Sequence, residues 1–349
     1  MATAEAPAGT PHALAADAFE QEQLGHWDAA ARLYSLSFRA AVLEDDVPQA
    51  ADALRGQARV LIQQERFEEA AELVELSREI AERSGYVQAA GRAMNVLGII
   101  RYRQQDWTAA SEQYRRALDL ALDLGDDDLA GLAVLNAGVV AHARGDRREA
   151  RSLYLESVGA FVRSGNASNA VLAYNNLGIV CADLREWLEA EIHFTRAIEL
   201  AERLSQSGIL ASLYGNRAEP LIEIGETDQA VETLERASEL AVTLGDRRAM
   251  ANVERLRSRL ARTAGDVNGA EDHVARALEL AAEPSLERAA AFRELALLLA
   301  SQQRVDEEQD ALRNAADLYR SLGADGNARD IEDALAASLA KTFPHPAQR

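Results

Sequence analysis

Residues 87–125, VQAAGRAMNVLGIIRYRQQDWTAASEQYRRALDLALDLG, decide the fold. They read as two amphipathic helices joined by a tight turn at Gln105-Asp106. The first helix, near 87–104, carries Met94, Leu97 and Gly98; the second, near 107–124, carries Trp107, Ala110, Tyr114, Ala117 and Leu118. Spacings of three and four place these residues on one apolar face of each helix. Gly125 ends the second helix, because a residue without Cβ enters the left-handed region without a clash. Asp126, Asp127 and Asp128 follow and can cap the next helix.

The same unit recurs every 40 residues. One column runs Trp27, Phe67, Trp107, Arg147, Trp187, Thr227, Val267, and three residues on comes alanine each time, from Ala30 to Ala270. Seven residues after the first column stand Tyr34, Val74, Tyr114, Tyr154, Phe194, Leu234 and Val274. Ala18, Ala58, Gly98, Gly138, Gly178, Ala218 and Ser258 form a small-residue column where the helices of a pair cross. Glycine stops the second helix at Gly85, Gly165 and Gly245, with Ser205 as an exception. Fixed-period self-similarity of this kind marks a solenoid, in which each repeat buries its face against its neighbours. Pro220, inside a first helix, is expected to bend it.

Met94, Leu97, Gly98, Trp107, Ala110, Tyr114 and Ala117, together with Asn176-Leu177-Gly178, resemble the tetratricopeptide repeat. The 40-residue unit exceeds the usual 34 of that family and is similar to the variant of kinesin light chains and bacterial peptide sensors. The resemblance implies an all-α, right-handed α-solenoid of about eight helix pairs over residues 11–322, whose first helices line a concave groove. A C-terminal capping helix is expected at 323–341, with loose tails at 1–10 and 342–349.

Composition narrows the function. Net charge is −20 and disfavours nucleic acid and anionic lipid as partners. No run is long and apolar enough to span a membrane, and Met1–Thr10 does not read as a secretory signal. The single cysteine, Cys181, fits a reducing cytoplasm and a packing role facing the inter-helix core. Lys341 is the one lysine, an arginine bias expected of a GC-rich bacterial genome. No metal-ligand spacing, phosphate-cradling loop or nucleophile constellation stands out, so neither an enzyme nor a cofactor or metal is expected. His193 and His273, two units apart in one column, read as surface residues.

Charge separates the helices. Six first helices sum to +7 and their second helices to −15. On the first helices stand Arg55 and Arg59; Arg92, Asn95 and Arg103; Asn136, Asn175, Asn176 and Asn216; then Arg255, Arg259 and Arg262. Asparagine offers donor and acceptor together, so a ladder of them can clamp a peptide backbone. Arginines beside it can pair with carboxylates. The reading is a scaffold that docks an extended acidic protein or peptide segment. Other readings stay open: the asparagines bonding a neighbouring repeat's backbone, the Arg255–Arg262 cluster being a solvated face that neutralises acids on adjacent helices, a signalling-peptide sensor, and self-assembly.

Overall fold

The computed structural model describes residues 9–342, so the expected tails lie mostly outside the described residues. Those residues form seventeen helices and no strand, in antiparallel pairs from α1 (Pro11–Gln23) and α2 (Trp27–Leu43) to α15 (Leu286–Ser301) and α16 (Val305–Ser321). α17 (Asp325–Thr342) follows as the expected cap. Between them lie α3 (Val47–Gln63), α4 (Phe67–Arg83), α5 (Val87–Arg103), α6 (Trp107–Leu124), α7 (Asp127–Ala143) and α8 (Arg147–Ser164). Then come α9 (Ala167–Asp183), α10 (Trp187–Arg203), α11 (Ser207–Ile224), α12 (Thr227–Leu244), α13 (Arg247–Thr263) and α14 (Val267–Leu280). α11 runs unbroken through Pro220 to Ile224. The proline withdraws the donor that would reach the Asn216 carbonyl, close to the end of the helix.

The backbone repeats at half the sequence period. A residue of positive φ stands every 20 positions: Gly25, Asp45, Glu65, Gly85, Gln105, Gly125, Gly145, Gly165, Arg185, Ser205, Gly225, Gly245 and Gly265. Each is the left-handed residue after a helix. At the first, the Gly25 amide donates to the Glu22 carbonyl at 3.1 Å and the His26 amide to the Gln21 carbonyl at 2.9 Å. This is the Schellman closure, which satisfies carbonyls the helix leaves free. The next residue already caps the following helix. Asp46, Asp106, Asp126, Asn166, Asp246 and Asp266 each accept from an amide three residues on. After α14 the register shortens, and the last two such residues are Gln303 and Gly323.

The three columns form the core. Ala30, Ala70, Ala110, Ala150, Ala190, Ala230 and Ala270 are fully buried, and the aromatic and aliphatic column beside them is at most 3% exposed. A Cβ on Gly178 would stand 2.7 Å from the Phe194 ring, so only glycine lets α9 lie this close to α10. Ser258, the polar member of the small column, donates to the Ala270 carbonyl at 2.8 Å and is thereby satisfied. Cys181 is fully buried, as expected, and burial pushes its thiol up to about 12.

The chain divides into two compact units: residues 1–140 with 159–164, and residues 141–158 with 165–349. Within the first, α1 packs on α3 and α3 on α5, besides the contacts inside pairs. Within the second, α9 packs on α11, α11 on α13 and α13 on α15. No pair of successive second helices packs comparably among the described residues. First helices are therefore the closer-spaced layer and form the inner wall of each unit.

Candidate functional site

Each unit has a polar column on its inner wall, and the column is bonded from one first helix to the next. In the first unit, Arg59 of α3 makes two 2.9 Å hydrogen bonds to Glu22 of α1 and a 2.8 Å bond to the Tyr34 hydroxyl. Burial opposes the Arg59 charge, but Glu22 outweighs it, and the guanidinium is held above its ordinary range. Four residues back, Arg55 is only 6% exposed and points between helices, pairing with Asp52 and reaching Ser77 Oγ and the Ala89 carbonyl at 3.5 Å. Burial, then the charges of Arg92 and Arg59, push Arg55 down to about 10. Three guanidiniums thus converge on one site.

Arg92 of α5 is the open member. Its side chain is 48% exposed and, among the described residues, its one ion pair is with Asp128, at 3.9 Å. One helical turn on, buried Asn95 accepts from the Asn136 amide of α7 at 2.9 Å. That bond leaves both Asn95 N–H groups, one Asn136 N–H and the Asn136 carbonyl for other partners. Arg103 is not brought to this cluster. It lies eleven residues beyond Arg92, roughly 16 Å along the helix, over the Phe67 ring.

The second unit repeats the asparagine pair and not the open arginine. The Asn216 amide of α11 donates to the Asn175 carbonyl of α9 at 3.0 Å. Asn176 is half-buried beside it, with no side-chain hydrogen bond among the described residues. The asparagines therefore bond one another's side chains, an arrangement that the sequence reading did not name. Arg255 pairs with Glu219 at 3.0 Å and with its neighbour Asn252. Arg259, 4% exposed, reaches Glu219 at 2.5 Å, Glu223 at 3.3 Å and Glu294 at 3.0 Å. Glu294 is fully buried and also binds Arg262 at 2.8 Å. Burial pushes the Glu219 carboxyl up, but Arg259 and Arg255 outweigh it and hold it well below the usual carboxylate range.

Two histidines settle differently. His273 Nδ1 lies 2.8 Å from Glu254. His193 is half-buried and stacks on Tyr174, and burial lowers its pKa. Among the described residues no group of three potential ligands could hold a metal ion, and no helix is long and apolar enough to cross a membrane.

The comparisons match this architecture. Family models described as tetratricopeptide repeat match residues 18–84 and, in overlapping placements, 89–163, 131–203 and 168–241. No curated protein matches the chain. Among solved structures, BtubC from P. vanneervenii is 25% identical, covering 62% of this chain and 91% of that one at a TM-score of 0.54. NprR in complex with its cognate peptide NprX is 14% identical, covering 82% and 86% at 0.61. A Rap protein complexed with competence and sporulation factor is 14% identical, covering 95% and 98% at 0.53. At such identities the last two likenesses speak for the fold alone. The repeat columns, the two-residue turns and the matched residues agree: the chain belongs to the tetratricopeptide repeat family.

Proposed function

We propose that the protein is a non-catalytic scaffold, working in a reducing cytoplasm, whose inner wall docks an extended acidic segment of a protein partner. The observation that carries this reading is the Arg55–Arg59–Arg92 cluster beside the Asn95–Asn136 pair. Arg92, half-exposed and held only at 3.9 Å, has the capacity to take a partner carboxylate. Arg59 adds a second charge, and Arg55 behind them raises the local potential. The spare amide groups of Asn95 and Asn136 suit a peptide backbone. In the second unit Asn175, Asn176 and Asn216 offer the same backbone chemistry, while Arg255 and Arg259 have their carboxylates already. The buried Cys181 thiol fits the reducing compartment.

A second reading, a sensor of signalling peptides, is favoured by the likeness to NprR with NprX and to Rap with its factor. It uses the same wall and adds a change of shape on binding. The test is fluorescence anisotropy with extended peptides rich in Asp and Glu, against the same peptides with Asn and Gln. Acidic peptides should bind more tightly and lose affinity with salt. Arg92→Ala with Arg59→Ala should weaken binding about tenfold and flatten the salt dependence. Asn136→Ala should weaken it with the salt slope retained. Acidic peptides that bind the folded variants as tightly as wild type would remove the inner wall as the site.

A further inference from the structure

In the second unit the end of the chain returns to its beginning. The first turn of α17 lies against the turn between α7 and α8, some 180 residues earlier. Asp330 pairs with Arg147, and the Arg329 guanidinium donates to the Arg144 carbonyl. Between them two backbones meet. A Cβ on Gly326 would lie 2.8 Å from the Gly145 nitrogen, and one on Gly145 would lie 2.9 Å from the Gly326 Cα. Only glycine at both positions permits this approach.

The two sides of α17 are held by different physics. Its apolar side, Ala328, Ile331 and Leu335, packs with Leu299, Leu312, Ala315 and Tyr319 into one cluster with α15 and α16. The seam to the α7–α8 turn is polar and exposed at its edge, where the Asp330 side chain is 55% exposed. Exposed ion pairs are screened and contribute little, whereas apolar burial is neither. The seam is therefore the weaker junction, and parting it leaves α15, α16 and α17 together.

Behind the seam lies the inner wall of this unit. Tyr319 of α16 is 5% exposed, and burial raises its phenol, opposed by the charges of Arg293 and Arg255 and helped by those of Asp183 and Glu219. Asp183 is held in turn by His142 at 2.6 Å and faces Arg147 at 3.8 Å. The last helices thus close over the same wall that carries Arg255 and Arg259.

We propose that this seam is a latch. The α15–α17 end of the array closes the inner wall of the second unit through Gly145–Gly326 and Arg147–Asp330. When they part it moves as one body with α13 and α14, to which α15 stays joined through Glu294 and Leu298. This rests on the seam itself and not on the identity of any partner. Hydrogen exchange on the full chain tests it. Gly326→Leu blocks the backbone approach while removing a glycine from a helix, so α17 itself is not weakened. Asp330→Arg reverses the pair, and Asp330→Glu retains it. Gly326→Leu and Asp330→Arg should speed exchange at residues 141–147 about tenfold, leave α15 and α16 at their wild-type rates and enlarge the maximum dimension in X-ray scattering. Asp330→Glu should match wild type. Raising ionic strength should move wild type towards Asp330→Arg. Unchanged exchange at 141–147 in both opened variants would overturn the latch. So would faster exchange throughout α9–α17, which would make the seam a keystone of the fold.

Discussion

Arg55 and Arg255 occupy the same place in the repeat, five units apart, as do Arg59 and Arg259. The surroundings differ at the first position and agree at the second. In the first unit burial and neighbouring guanidiniums push Arg55 down to about 10. In the second, Arg255 pairs with Glu219 at 3.0 Å. Arg59 and Arg259 agree instead: burial opposes each charge, but glutamates outweigh it and raise each above its ordinary range. The 55/255 position therefore holds a guanidinium crowded by other guanidiniums in one unit and one bonded to a carboxylate of the neighbouring first helix in the other. Counter-ions on neighbouring first helices decide between them. A first-helix arginine on this fold is the better binding candidate the more loosely the adjacent helices hold it, as Arg92 is held by Asp128 at 3.9 Å.

Cutting the network should show the largest effect. Glu294 is fully buried between Arg259 and Arg262, so Glu294→Ala leaves two guanidiniums short of a partner in a dry site. Breaking a buried pair from one side costs about 3–5 kcal/mol. Asp52→Ala removes the Arg55 partner in the first unit, but the Asp52 side chain is 49% exposed, and the cost should stay below about 1 kcal/mol. Urea denaturation followed by circular dichroism measures both. Equal midpoints for the two variants would erase the distinction between the units.

Acid should find the same difference. The Glu219 carboxyl is depressed in the folded state, so its stabilisation is present above the unfolded value of about 4.3 and is lost as pH falls towards the folded value. Arg55 has the opposite sign. Its charged form is disfavoured in the folded state, and raising pH through about 10 relieves the repulsion. Acid should therefore loosen α11, α13 and α15 through this network, and Glu219→Gln should flatten that limb of the stability curve. Hydrogen exchange between pH 7 and pH 3 locates the loosening; an acid limb unchanged by Glu219→Gln would show that the network does not set it.

How much of this was legible in the sequence follows from the range of each signal. The helix pairs, the alanine column and the small-residue crossings were legible because each is fixed within one repeat. The separation of first and second helices by charge was legible too. The destinations of individual side chains were not. Asn136 meets Asn95, and Asn216 meets Asn175, 41 residues away, and Arg259 finds Glu294 35 residues away. Such partners depend on which faces of successive first helices come together, and a column read down one position does not contain that. The open alternative that the Arg255–Arg262 cluster is a solvated face neutralising acids on adjacent helices is right about the acids and wrong about the solvent, since Arg255 and Arg259 are buried. The 20-residue turn period was visible in Gly25, Gly145, Gly225 and Gly265, which a 40-residue reading passed over. It was masked where Asp45, Glu65, Gln105, Arg185 and Ser205 hold the same conformation.

Those masked turns supply a control with the smallest expected effect. If the units differ in counter-ions and not in scaffold, one backbone substitution should act alike in both. Gln105 in the first unit and Arg185 in the second each have φ of 60° after a helix. An L side chain in that region costs about 1–2 kcal/mol, partly offset in glycine by its greater loss of chain entropy. Gln105→Gly and Arg185→Gly should each stabilise by about 0.5–1 kcal/mol, raising the melting temperature by a few degrees at most. Neither side chain takes part in the ion clusters, so the two gains should be equal within about 0.5 kcal/mol and additive in the double variant. Gly125→Ala, at φ of 65°, should lose about as much as these gain. Gains of opposite sign in the two units would mean that the scaffolds themselves differ, and the contrast between Arg55 and Arg255 could no longer be assigned to counter-ions alone.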